Sequence, residues 1–162
     1  YALCMENKFL GLNIAHAIEN AALLVQKCHK CFGISESEIC DICLDSSREN
    51  GELCIVANPR DIFTLEDMGE FKGRYFVLDS QGDLEQIDFT LLNQRIDTES
   101  VREIIFALSP SLANEAIMLY IEDKIKMPLH FSKIAQGVPT GIGLDAIDQL
   151  SLSRAMSLRV KL

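Results

Sequence analysis

No apolar run in these 162 residues approaches the roughly 18 to 20 needed to cross a bilayer, so nothing in the sequence reads as a transmembrane helix. The N-terminus also lacks the charged, apolar and small-residue succession of a secretory signal, and a cytoplasmic location is the expectation. Basic residues are scarce: 15 Lys and Arg against 24 Asp and Glu give a net charge of −9, which opposes tight non-specific adhesion to a phosphate backbone. Nucleotide-phosphate loops are missing too. The glycines of the loop Gly137-Val138-Pro139-Thr140-Gly141-Ile142-Gly143 fit neither G-x-G-x-x-G nor G-x-x-x-x-G-K-[ST], and read as a structural turn. There is no initiator methionine: the chain begins at Tyr1 on a stretch with helical character, and the expectation is that an upstream part is missing.

What is present begins with cysteine. Cys28, Cys31, Cys40 and Cys43 form two C-x-x-C pairs eight residues apart. Each pair can set two thiolates on one tight knuckle, and two knuckles folded face to face make a tetrahedral cage for zinc. A pair of disulfides and a redox dithiol are competing readings; the doubled spacing favours the metal. A closed four-Cys site has no open position for water and is structural. Gly33, between the knuckles, can supply a positive φ where the chain reverses. The remaining Cys4 and Cys54 are flanked by apolar residues and read as buried small hydrophobes.

At 48% hydrophobic, the chain can bury a core and suits one domain with a small appendage. Apolar residues recur at helical spacing from Leu12 to Lys27, with Asn13 a candidate cap, which predicts an amphipathic helix leading into the first knuckle. Beyond Gly51, Leu53 to Ala57 is a continuous apolar run, the pattern of a strand buried on both faces. Asn58-Pro59 starts a helix over 59–68 that stops at Gly69. Further strands are predicted at Tyr75–Leu78, Glu103–Leu108 and His130–Ala135, with helices from near Asp88 and from Pro110 to about Lys126. Strands alternating with helices imply an α/β fold with a mainly parallel sheet covered on both faces. The tail from Ser151 to Leu162 reads as a short basic helix or arm.

Residues 35–52 hold Glu36, Glu38, Asp41, Asp45, Glu49 and Glu52 against Arg48 alone, a solvated face or a docking surface for a basic partner. Metal-assisted phosphoryl transfer would need carboxylates converging at the strand ends, a Glu after the first strand and an Asp-x-Asp after a later one. Those ends read Ala57-Asn58 and Ser109-Pro110-Ser111. Glu115 and Asp79, the nearby acids, read as helix-surface charge. His16, His29 and His130 are isolated, and no catalytic residue is assigned.

The order of these features resembles the RecR family of bacterial recombination mediators. It is carried by a helix entering C-x2-C-x8-C-x2-C, a strand with Pro59 three residues beyond Val56, and Gly69-Glu70-Phe71-x-Gly73-Arg74-Tyr75-x-Val77-Leu78. It continues through Ile104-Ile105-Phe106-Ala107, Ser109-Pro110-Ser111-Leu112-Ala113-Asn114-Glu115-Ala116 and Ala135-Gln136-Gly137-Val138-Pro139-Thr140-Gly141, and ends at Leu152-Ser153-Arg154-Ala155. The resemblance implies an N-terminal helical segment (1–27), a zinc finger with its acidic loop (28–52), a Toprim-like α/β domain (53–135) and a C-terminal loop and arm (136–162). It also implies an upstream helix-hairpin-helix segment making most contact with single- and double-stranded DNA. Members of the family are non-enzymatic. They form dimers or tetrameric rings, and with RecO and RecF load the recombinase onto single-stranded gaps. Ala57, Ser109, Ser111 and Asn114 depart from the common pattern, while Glu115 still aligns. The alternative is a Mg²⁺-dependent Toprim enzyme, a primase-like or nuclease domain.

Overall fold

The structure is a computed structural model that describes residues 1–78, 89–135, 141 and 143–157. A π-helical turn, Ala2–Glu6, precedes α1 (Lys8–Leu24), whose N-terminus is capped by the Asn7 side chain accepting from the Leu10 amide at 3.0 Å. The helix therefore starts a turn before Leu12, and Asn13 lies inside it. Asn7 is the residue placed where its carboxamide oxygen meets a free first-turn N–H. None of the residues of α1 is buried, so its apolar positions face outward among the described residues. Cys4, expected in a core, is exposed for the same reason: its turn packs on α1 and not on the sheet.

Two short strands, β1 (Gln26–Lys27) and β2 (Ile34–Ser35), pair antiparallel and bracket the first knuckle; α2 (Asp41–Leu44) carries the second. The α/β part follows as β3 (Glu52–Val56), α3 (Pro59–Met68), β4 (Arg74–Val77), α4 (Phe89–Thr98), β5 (Glu103–Ala107), α5 (Leu112–Lys124) and β6 (His130–Lys133). Its four strands are all parallel, in the order β4-β3-β5-β6, as the alternating pattern requires.

Side chains alternate across a strand, so β3 sends Leu53 and Ile55 to one face and Cys54 and Val56 to the other. Leu53 and Ile55 join Phe76, Ile104 and Phe106 with Leu92 and Ile96 of α4 and Ile117 and Ile121 of α5. Cys54 and Val56 join Tyr75, Val77 and Ile62 of α3. Both faces of the sheet are thus closed by helices, which explains why the central strands are apolar throughout.

Helix α3 matches its sequence signals closely. Asn58 and Asp61 exchange a reciprocal cap, Pro59 occupies the first helical position, and Gly69 ends the helix in the left-handed region at φ 69°. Helix α5 opens later than Pro110: Ser111, in extended conformation, caps it by accepting from the Asn114 amide at 3.1 Å, and Pro110 lies in the bend before it. The start expected at Asp88, most of the loop beginning at Gly137, and the tail past Ser157 lie outside the described residues. Within the arm, α6 spans Gln149–Ser157. No described helix is long and apolar enough to cross a membrane.

Candidate metal centre

The two knuckles fold face to face. Backbone bonds from the Cys28 amide to the Gly33 carbonyl (2.8 Å) and from the Phe32 amide to the Cys28 carbonyl (2.9 Å) close the first around its two thiols. The Cys43 and Leu44 amides donate to the Cys40 carbonyl as the second knuckle turns into α2. The link between them is the His29 amide donating to the Glu38 carbonyl at 2.8 Å.

All four Sγ atoms lie within 4.8 Å of one another, and all six cysteines of the chain are free. A tetrahedral zinc with Zn–S bonds of about 2.3 Å needs sulfurs about 3.8 Å apart. Cys31 and Cys40 are already at 3.6 Å. The Gly33 amide points at Cys31 Sγ and the Cys40 amide at Cys28 Sγ, each at 3.3 Å, donors that stabilise thiolate rather than thiol. Cys28, Cys31 and Cys43 are buried, with Cys40 at the rim. The donor set, spacing and burial fit zinc.

Gly33 acts differently from its expected role. The left-handed residue of the turn is Phe32, at φ 59°; Gly33 is not in the positive region. A Cβ on Gly33 would sit 3.1 Å from both Cys31 Sγ and Ile62 Cδ1, so this position lets the knuckle approach α3.

The charge on this cluster is unevenly held. A hydrogen bond with Cys31 pulls the Cys40 thiol down, and the same bond pushes the Cys31 thiol up. Four clustered sulfurs, three of them buried, cannot all ionise side by side unless a cation sits among them.

The finger is joined to the sheet through β4, the edge strand. Its Val77 amide donates to the Cys31 carbonyl at 2.9 Å, satisfying an edge group with the knuckle itself. Phe32 meets Phe76 edge-to-face at 5.5 Å. Arg95 of α4, 2% exposed, donates from Nη1 to the Tyr75 carbonyl (2.7 Å) and to the Lys30 carbonyl (3.0 Å), so one guanidinium holds strand and knuckle together. Glu99, four residues on, accepts from its Nε and Nη2. Sequence reasoning missed this pair, because an Arg and a Glu at that spacing look like an ordinary surface pair.

Several acids of the 35–52 stretch are internal partners. Glu49 binds Arg74 at 2.9 Å, Asp45 accepts from Ser47 and lies 3.8 Å from Arg48, and Glu52 accepts from Asn50. Arg48 in turn holds Glu66 of α3 and donates to the Gly73 carbonyl, and the Tyr75 hydroxyl donates to Glu66 at 2.6 Å. Glu36, Glu38 and Asp41 remain exposed.

At the C-terminal ends of the strands a cavity of about 570 Å³ is bounded by Ala107, Ser109, Asp61, Asp148 and Arg154, with α6 along one side. Its acids are engaged. Asp61 accepts from the Asn58 amide (3.1 Å) and Asp148 from the Ser151 amide (2.9 Å); Glu115, outside this lining, accepts from Arg154 at 3.0 Å. Glu115 is therefore the anchor of the arm and not a free surface charge. His16 lies 3.6 Å from Glu19 on α1, and His29 and His130 are exposed; no described group draws them together. Asp79 is outside the described residues.

Comparison with known proteins agrees with this arrangement. Residues 25–45 match the family described as the RecR Cys4 zinc finger domain, and residues 51–135 match the Toprim domain. The chain is 52% identical to the recombination protein RecR of Helicobacter pylori (strain Shi470) over 99% of its own length and 82% of that protein. It is 48% identical to that of a Nitratiruptor species over 94% of this chain and 79% of the relative, and 44% identical to that of Campylobacter jejuni (strain RM1221) over 100% and 84%. With its zinc-finger cysteines gathered beside a parallel Toprim sheet, and with this identity along nearly its whole length, the chain belongs to the RecR family of recombination proteins.

Proposed function

We propose that Cys28, Cys31, Cys40 and Cys43 hold one structural zinc, and that the chain acts as a non-enzymatic mediator of recombinational DNA repair. On this reading residues 28–52 are the finger, 53–135 the Toprim-like domain and 136–162 the arm. The protein forms a clamp-like oligomer and works with RecO and RecF to load the recombinase onto single-stranded gaps. Family membership supports the recombination role. The observation that supports the non-enzymatic part is the state of the acids near the strand ends among the described residues: Asp61 and Asp148 cap helices and Glu115 is tied to Arg154. Among the described residues, the four cysteines are the group able to hold a metal ion. A phosphoryl-transfer centre would need carboxylates free to share Mg²⁺.

The excess of acid disfavours direct contact with DNA phosphate by this stretch and favours a basic protein partner. The test is recombinase loading on gapped DNA coated with single-strand-binding protein, with RecO present. Adding the protein should speed loading. Unchanged loading contradicts the mediator role, and Mg²⁺-dependent cleavage that co-purifies with the protein and disappears in Glu115→Ala establishes the enzyme alternative.

A further inference from the structure

A zinc ion bound by four thiolates carries a net charge of −2, and burying that charge beside an apolar sheet is costly without a counter-charge. The structure has one. Arg95 is 2% exposed and Arg74 4% exposed, and both reach Glu99, whose side chain is 8% exposed, at 2.9 Å and 3.4 Å. Arg74 also meets Glu49, but that carboxylate is 53% exposed and largely solvated. Within the buried shell, two guanidiniums therefore face one carboxylate. Screened by solvent, Glu49 offsets Arg74 only in part, so the buried group keeps a positive bias that a neighbouring anion would balance.

The thiolate cluster is the neighbour. Arg95 hydrogen-bonds the carbonyl of Lys30, the residue directly before Cys31, and the carbonyl of Tyr75 on the strand whose Val77 amide holds the Cys31 carbonyl. Of the other cations in and beside the finger, Lys27 is exposed, Lys30 is half-buried and Arg48 is paired with Glu66.

We propose that Arg95 is the positioning counter-charge of the zinc–thiolate centre, fixing the first knuckle through the Lys30 carbonyl while offsetting the anionic charge of the bound ion. The proposal rests on zinc occupying the four-cysteine site and assigns part of the ion's affinity to a residue on α4, far along the chain from the finger. Metal occupancy and the docking of α4 and β4 are then thermodynamically linked: whatever weakens one weakens the other.

The experiment measures zinc affinity by competition with a chromophoric chelator, and thermal stability with and without zinc, for the reduced protein and two variants. The unaltered protein is assayed for zinc first: a zinc-free protein overturns the underlying reading and the role of Arg95 with it, whereas a zinc-bound protein insensitive to Arg95 overturns that role alone. Arg95→Met should weaken zinc binding about tenfold or more, within the range for residues that support metal ligands from outside the coordination sphere. It should also reduce the stability gained on adding zinc. Equal destabilisation of the zinc-bound and zinc-free protein with unchanged zinc affinity marks Arg95 as a packing residue and overturns the proposal. Arg95→Lys keeps the charge and loses the forked bonds, so it carries the test if the Met variant does not fold. Its zinc affinity should fall less than that of Arg95→Met because the charge remains, and a loss equal to that of the neutral side chain overturns the counter-charge role.

Discussion

At Cys40 the proposed zinc ligation and its link to the edge of the sheet can be tested together. Cys40→Ser removes a thiolate ligand and should lose zinc on elemental analysis and lower the unfolding midpoint. Its effect cannot stop at the finger, because the Cys31 carbonyl accepts from Val77 and Arg95 ties Lys30 to Tyr75. Charge reversal at Glu49 likewise reaches the fold. Glu49 looks from sequence like free surface acid, but Glu49→Lys would set a cation against buried Arg74, so a loss of stability in urea is expected. Glu66 gives a pH signature. Burial pushes its carboxyl up, hydrogen bonds from Arg48 and Tyr75 outweigh this, and the net shift is downward. A folded-state value below the unfolded one contributes stability present above the unfolded pKa of about 4.3 and lost as pH falls through the folded value. Glu66→Gln should therefore cost stability at neutral pH and differ little from the unaltered protein at pH values below both. A mutational cost that stays constant with pH contradicts the assignment.

Among the elements, α3 shows where local rules suffice. Asn58, Pro59 and Gly69 mark its ends in sequence, and the structure places a reciprocal cap and a left-handed stop there. Asn58→Ala should cost about 1 kcal/mol by urea denaturation; no measurable cost would mean that packing of Ile62 alone holds the helix. The parallel strands were legible for a related reason, since burial on both faces leaves continuous apolar runs. The cysteine spacing was legible because metal ligation imposes it. What stayed hidden depended on distant partners. Asn7 caps α1 because the helix begins earlier than its apolar periodicity suggests, Cys4 faces solvent because α1 buries none of its residues, and Phe32 takes the positive φ because Gly33 is reserved for approach to α3. The buried Arg95–Glu99–Arg74 group could not be seen, because only the assembled fold places the knuckle over that end of α4.

On the scale of the whole molecule, a net charge of −9 and the outward acids Glu36, Glu38 and Asp41 fit the docking of a basic partner, the role proposed above for RecO. Its association should slow as salt screens the opposed charges, and Glu36→Lys with Glu38→Lys should weaken it while leaving the unfolding midpoint in place. Docking unaffected by salt or by these reversals would refute the acidic finger as the contact. On the proposed reading, zinc, the four-thiolate finger and the edge of the Toprim sheet form one unit, and amide hydrogen exchange before and after chelation shows whether they do. One zinc per chain is expected and, on its removal, loss of protection at Val77 and its β4 neighbours while β5 in the sheet interior stays protected; a zinc-free native protein, or unchanged exchange in β4 after chelation, would mean that finger and sheet are independent of the metal.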